Sequence, residues 1–285
     1  MKILNASDRL SEAASAVSVG MFDGVHRGHR RLLQILGETA QGAGLPSVVV
    51  TFDPHPRAVL QPNAAPRMLC TLADRLALLA SVKSVDYCLV VRFDKTTAEC
   101  SAETFVQDTL LARLGLRHLV VGENFCCGKR RQGDVGFLAE LGMRHGFGVQ
   151  ALALHGDEGS NATEPAQRYS STATRRVIES GNVAAAAQML ERPHELTGIL
   201  LEPASHDKST LEIELPQGMC APAADYYAGA ARNNRALPRW VPALLQVRHV
   251  PDARDAQQRR VRLTMQTAFD ALPGDLVSVR FLERC

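Results

Sequence analysis

From residue 15 to about 154, short apolar runs alternate with stretches of helical periodicity. Val17–Val19, Ser47–Phe52, Tyr87–Val91, His118–Val121 and Val149–Leu154 read as strands. Between them apolar positions recur at helical spacing near 27–41, 72–82, 102–114 and 134–145. Ser101 is placed to cap the third helix, with Glu103 in its first turn, and Gly115 is placed to stop it. Near-continuous buried strands alternating with helices predict an α/β, doubly wound parallel sheet. Such sheets bind ligands beyond the carboxyl ends of their strands, where the strand order reverses. The first, second and fourth strands run directly into Gly20-Met21-Phe22-Asp23-Gly24, Asp53-Pro54-His55-Pro56 and Gly122-Glu123-Asn124-Phe125, so all three motifs are expected on one rim.

Two further helices are expected over about 171–180 and 182–191, broken at Gly181. Beyond Pro193 the period shortens to two. Leu211, Ile213 and Leu215 alternate with Glu, Val261, Leu263 and Met265 alternate with polar residues, and Val277, Val279 and Phe281 share one face. That pattern predicts half-buried antiparallel strands in a small β-barrel-like domain. The expected division is 1–195 and 196–285, with residues 250–260 as a solvated loop.

A chain of 285 residues with 46% hydrophobic and 22% charged side chains suits two domains with sizeable cores. The net charge of +2 supplies no global basic field, which argues against nucleic acid as a partner. No apolar run reaches the length needed to cross a bilayer, and the first residues lack the pattern of a signal peptide. Seven cysteines without framework spacing fit reduced thiols, so a cytoplasmic location is expected. Cys126-Cys127 reads as two ordinary thiols on a loop. Oligomeric state is left open.

Residues 17–33 carry the densest chemistry. A strand meets a glycine-bearing turn, and His26 and His29 then open an amphipathic helix bearing Leu32, Leu33, Ile35 and Leu36. A strand, a tight turn and a helix N-terminus present free N–H groups and a positive dipole end to a phosphate. His-x-x-His across the first turn puts both imidazoles on one face beside that anion. No Gly-Lys-Ser/Thr closes the turn and no Gly-x-Gly-x-x-Gly is present, so neither a Walker loop nor the dinucleotide fingerprint applies. A solvated histidine pair and a zinc site remain as other readings, although no third ligand sits at metal spacing.

Phe22-Asp23-Gly24-Val25-His26-Arg27-Gly28-His29 resembles the His-x-Gly-His signature of the Rossmann-like nucleotidyltransferase superfamily. In its extended form it resembles the adenylyltransferase module of bacterial riboflavin kinase/FAD synthetases. Thr51-Phe52-Asp53-Pro54-His55-Pro56, Val121-Gly122-Glu123-Asn124-Phe125 with Gly128, and Arg168-Tyr169-Ser170-Ser171-Thr172-Ala173-Thr174-Arg175 resemble further motifs of that family, in the same order. The likeness covers about residues 15–197.

The resemblance implies transfer of AMP from ATP to the phosphate of FMN, giving FAD and pyrophosphate. It implies catalytic contacts from His26, His29, Asn124 and Arg168. Gly20, Phe22, Asp23, Gly24, Ser171, Thr172 and Arg175 are implied in ATP binding, and Phe52, Pro54, His55, Pro56, Asn124 and Phe125 in FMN binding. Mg²⁺ is expected with ATP, held largely by substrate and water, and no metal site on the protein is expected. Lys129, Arg130 and Arg131 lie on a glycine-flanked loop that could close over the anions or be a solvated patch.

The family's kinase barrel carries a Gly-x-Pro-Thr-Ala-Asn segment. This chain instead runs Leu196-Thr197-Gly198-Ile199-Leu200 into LEPASHDKSTLEIEL, and Pro-Thr-Ala-Asn occurs nowhere. A degenerate barrel without kinase activity is expected. The alternatives are residual riboflavin kinase activity, a nucleotidyltransferase for another phosphorylated acceptor, and a non-catalytic flavin or nucleotide sensor.

Overall fold

β2 (Ser15–Val19) and β3 (Ser47–Asp53) lie side by side in a six-stranded, wholly parallel sheet, completed by β1 (Lys2–Leu4), β4 (Tyr87–Arg92), β5 (Leu116–Gly122) and β6 (Gly148–Leu152). The structure is a computed structural model and describes residues 1–5, 8–153, 169–201, 210–235, 239–249, 259–267 and 269–285. The spatial order is β1-β4-β3-β2-β5-β6. From β2 the chain winds outward through β3 and β4, then returns to β5 on the other side. The order therefore reverses between β2 and β5, which is where the turn after β2 and the loop after β5 emerge.

Side-chain alternation along these strands builds two cores. Ala16, Val49, Cys88 and Val120 pack with Leu32, Leu33 and Leu36 of α1 (Arg27–Ala43). Val17, Val19, Val48, Val50 and Leu119 pack on the opposite face with Leu138 and Leu141. Each expected apolar run and helical stretch has an observed strand or helix. β6, however, ends at Leu152, and Leu154 of the expected strand lies outside the described residues. The short helices Pro56–Leu60 and Lys95–Glu99 were not expected. β1 was not expected, because three residues at a sheet edge are too short to display a period. The expected helix over 102–114 starts as an α-helical turn at Ala102–Thr104 and continues as a π-helix over Phe105–Leu111. Its buried residues are Phe105, Val106 and Leu110, a spacing that suits a turn wider than 3.6 residues. Ser101 caps it as expected, its Oγ accepting the Thr104 N–H at 3.0 Å, and Gly115 ends it at φ +63°.

By internal contacts the chain divides into Met1–Pro66 with Leu72–Tyr169, and Arg67–Thr71 with Ser170–Cys285. The second unit is a closed six-stranded antiparallel barrel in the order β10-β11-β8-β7-β12-β9. Its strands are β7 (His194–Leu200), β8 (Thr210–Glu214), β9 (Tyr226–Asn233), β10 (Val241–His249), β11 (Arg259–Met265) and β12 (Leu276–Arg284). The alternating residues read from the sequence point inward: Leu211, Ile213, Leu263, Val277, Val279 and Phe281 are in one core. Two helices, Ser171–Glu179 and Val183–Leu190, precede the barrel, and Val183 joins that core. Residues 250–258 of the expected solvated loop lie outside the described residues, and 259–260 begin β11.

Candidate active site

The turn after β2 is built from left-handed backbone. Phe22, Gly24 and Val25 have φ of 50°, 74° and 40°. Phe22 folds back over Gly20, where a Cβ would lie 3.2 Å from its ring. A β-branched residue at positive φ is an outlier that costs about 1–3 kcal/mol and persists only where surroundings enforce it. Here Phe22, Asp23, Gly24 and Val25 are all buried.

His26 is the N-cap of α1. Its Nδ1 accepts the His29 N–H at 3.4 Å, so the proton of neutral His26 sits on Nε2. The His26 and His29 rings stack with centroids 3.6 Å apart and planes 21° apart, and Phe22 tilts against His29 at 5.2 Å. Gly28 admits a close neighbour: a Cβ there would lie 3.2 Å from the Tyr169 carbonyl oxygen and 3.3 Å from the His26 ring. Tyr169 accepts a hydrogen bond from Arg27 at 3.2 Å, and that guanidinium lies 5.3 Å from its ring centroid.

The loop after β3 is stiff for local reasons. His55 Nδ1 accepts the Arg57 N–H at 3.1 Å, capping α2 (Pro56–Leu60), and Pro56 occupies the first helical turn. Phe52 packs edge-on against Phe93 at 5.9 Å and tilts on Phe105 at 6.1 Å.

Between these two loops lies a residue that the motif reading passed over. Arg75, on α3 (Leu72–Ser81), is only 1% exposed and heads the largest fully buried side chains. Its Nη1 donates to Met21 O at 3.2 Å, Thr51 Oγ1 at 3.0 Å and Phe52 O at 2.9 Å. Thr51 Oγ1 in turn donates to Met21 O at 3.1 Å. The acid paired with it is Asp53, whose Oδ1 is 3.8 Å from Nη2. The signal was available in the chain: Arg75 interrupts the apolar stripe of Leu72, Leu76 and Leu79.

After β5, Asn124 is exposed, with Nδ2 3.4 Å from Glu123 Oε1, while Phe125 packs against the core. The loop continues to a bridge between Cys127 and Gly133, seated on Ala102 through Gly128 and Gly133. Burial pushes the Cys127 thiol up to about 12, so it is not a thiolate near neutrality. Lys129 pairs with Glu99, and Arg130 and Arg131 are exposed at φ of 55° and 60°.

The remaining expected residues belong to the second unit. Ser170 Oγ accepts the Ala173 N–H at 3.1 Å, so Ser171 and Thr172 open the helix Ser171–Glu179. Arg175 Nε donates to Arg67 O at 2.5 Å. The structure thus brings Phe22, His26 and His29 together, and ties the backbone at Met21 to that at Phe52. Arg168 lies outside the described residues.

A family model described as FAD synthetase matches residues 8–164. A bifunctional riboflavin kinase/FMN adenylyltransferase of Escherichia coli (strain K12) is 36% identical over 201 residues, 70% of this chain. A protein of the same description from Pseudomonas fluorescens is 37% identical over 184 residues, 65% of this chain. The matches span 62% and 56% of those relatives' lengths. A crystal structure of a macrolide-efflux protein from Streptococcus pneumoniae covers all of this chain and 91% of its own, with a TM-score of 0.81 at 22% identity, a likeness of fold. With the strained histidine turn after β2 and the matched residues 8–164 together, this chain belongs to the FAD synthetase family.

Proposed function

We propose that this protein is an FMN adenylyltransferase. A phosphate oxygen of FMN attacks the α-phosphorus of ATP, the bond from that phosphorus to the bridging oxygen breaks, and pyrophosphate leaves as FAD forms. The observation that carries this reading is the stacked His26–His29 pair at the N-terminus of a 17-residue helix. The helix dipole at the start of α1 and His26 Nε2–H together suit an anion whose charge grows in the transition state. FMN brings its own ionised nucleophile, so positioning two anions does most of the work.

In this reading His26 and His29 hold the α-phosphate, with Gly20, Phe22, Asp23 and Gly24 shaping the ATP loop. Ser171, Thr172 and Arg175 take the β- and γ-phosphates, as the family likeness implies. Phe52, Pro54, His55, Pro56 and Phe125 shape the flavin pocket, and Asn124 reaches towards both phosphates. Magnesium enters as the counter-ion of ATP. No group of three His, Cys, Asp or Glu that could hold a metal occurs among the described residues, and magnesium bound through phosphates keeps several waters. The barrel carries no kinase activity.

Flavin chromatography after incubation with Mg-ATP tests this, with FMN or riboflavin as substrate and His29→Ala as control. FAD from FMN and no product from riboflavin is expected. FMN or FAD from riboflavin would refute the silent barrel, and no turnover of FMN would refute the reaction.

A further inference from the structure

Among the described residues, Arg75 is a charged side chain with no hydrogen bond to a carboxylate. Its side chain is 2% exposed, and its paired acid, Asp53, is 46% exposed at ion-pair rather than hydrogen-bond distance. Burying a charge this deeply is costly, and an apolar residue of similar volume is often as stable or more so. Its acceptors are instead two backbone carbonyls and a hydroxyl, and they sit where β2 has ended beside the last residues of β3. The last ladder pair between β2 and β3 is Val19 with Val50. One residue further on, the Gly20 N–H still reaches Val50 O at 3.0 Å. Beyond that no ladder spans the two chains, and Arg75 takes over, holding Met21 O on one side and Thr51 Oγ1 and Phe52 O on the other.

We propose that Arg75 is a positioning residue that sets the spacing between the ATP loop after β2 and the flavin loop after β3. This rests on the adenylyltransferase reading. Met21 precedes the strained Phe22–Val25 turn that presents His26 and His29, and Phe52 is the second-last residue of β3, just ahead of the loop that His55 caps. A shift of one loop against the other moves the α-phosphorus relative to the attacking FMN oxygen without removing any group that touches either substrate. In-line transfer is sensitive to such a shift, since displacement by about 1 Å can cost about 100-fold in rate.

One geometric detail makes the assignment sharp. All three acceptors lie within hydrogen-bond distance of a single nitrogen, Nη1, and share its two hydrogens. A lysine ammonium carries three donors on one nitrogen and can replace it, whereas methionine fills the space and offers none. The Thr51 hydroxyl is the shared link, so Thr51→Val weakens the same clamp without touching the charge.

The test compares wild type, Arg75→Lys, Arg75→Met and Thr51→Val in kcat, in KM for ATP and FMN, and in Tm. FMN affinity is also measured by flavin fluorescence with and without a non-hydrolysable ATP analogue. Arg75→Met is expected to lose about 100-fold in kcat while FMN affinity without nucleotide stays within about threefold. The effect of the analogue on FMN affinity should disappear with it. Thr51→Val should show a smaller loss of the same kind, and Arg75→Lys should recover at least about tenfold of the loss. Arg75→Met with kcat near wild type overturns the proposal. So does a loss in which Tm and both affinities fall together, or one that lysine does not relieve. If wild type makes no FAD from FMN, the reaction reading fails, and this assignment fails with it for that separate reason.

Discussion

The two units spend their irregularity differently. Among the described residues of the parallel-sheet unit the left-handed non-glycine residues are Phe22, Val25, Arg130 and Arg131, all in loops beyond the carboxyl ends of β2 and β5. Two deeply buried charges, Asp23 and Arg75, are also there, Arg75 held by two backbone carbonyls and a hydroxyl. Among the described residues of the barrel unit the left-handed non-glycine residue is Glu191, at a helix end. Two of the barrel's ion pairs join residues directly opposite each other across strands: Arg260 with Glu214 at 3.0 Å and Arg280 with Glu195 at 2.8 Å. The Trp240 ring centroid lies 3.7 Å from the Arg280 guanidinium carbon and 4.7 Å from that of Arg232, and the buried Nε of each arginine has no hydrogen-bond partner among the described residues. Strain concentrated at one rim fits the unit that the proposed function assigns to ligand binding, whereas cross-strand ion pairs fit one that holds its own shape.

The largest effect that could break this contrast belongs to the barrel core. Phe281 is fully buried and meets Tyr227 edge-on at 5.5 Å. Phe281→Ala should destabilise by about 3–5 kcal/mol in urea unfolding, yet leave kcat for FAD synthesis unchanged in protein that remains folded. A matching fall in kcat would put the barrel in the chemistry. His29→Ala should do the reverse. The expected loss is about 2.7–4 kcal/mol of transition-state stabilisation, with little change in Tm, read from steady-state rates beside a melting curve. A Tm that falls as far as the rate would make the histidine structural.

A third effect separates the units by pH. His194 is fully buried, its Nε2 2.8 Å from Cys220 O, and burial holds its pKa down at about 4 against an ordinary 6.5. The unfolded chain therefore binds a proton that the folded barrel refuses. Stability should be intact above about pH 6.5 and fall by up to about 1.4 kcal/mol per pH unit between there and pH 4. Unfolding at pH 7, 6 and 5 for wild type and His194→Gln measures this slope, and an unchanged slope in the variant would assign it elsewhere. The smallest effect tests the strain itself. Arg130→Gly should raise stability by about 0.5–1 kcal/mol, since relief of a left-handed arginine outweighs the entropy of glycine. A neutral or destabilising result would mean that the loop pays nothing for that conformation.

The local code of this chain was easy to read. Apolar runs and periods of 3.6 and 2 located the longer helices and most strands, and the glycine turn with its two histidines marked the N-terminal end of α1 as the candidate site. These features depend on residues a few positions apart, so a window of sequence contains them whole. The β2 turn also follows locally, because Gly20 and Gly24 permit what Phe22 and Val25 must then endure.

Other features depended on neighbours far along the chain. β1 is a strand only because β4 offers it an edge, and β7, β9 and β10 close the barrel through pairings that no periodic window reports. The second unit takes Arg67–Thr71 from the middle of the chain, where the Met68 N–H meets Gly218 O at 2.7 Å and the Cys220 N–H meets Met68 O at 2.8 Å. Arg75 is the clearest case. In sequence it is one charge on an apolar stripe, and its meaning comes from two carbonyls and a hydroxyl 23 to 54 residues away. Short-range sterics and periodicity set which segments become strands, helices and turns. Which buried donor meets which acceptor was settled only when the folded chain brought Met21, Thr51 and Phe52 within reach of one nitrogen.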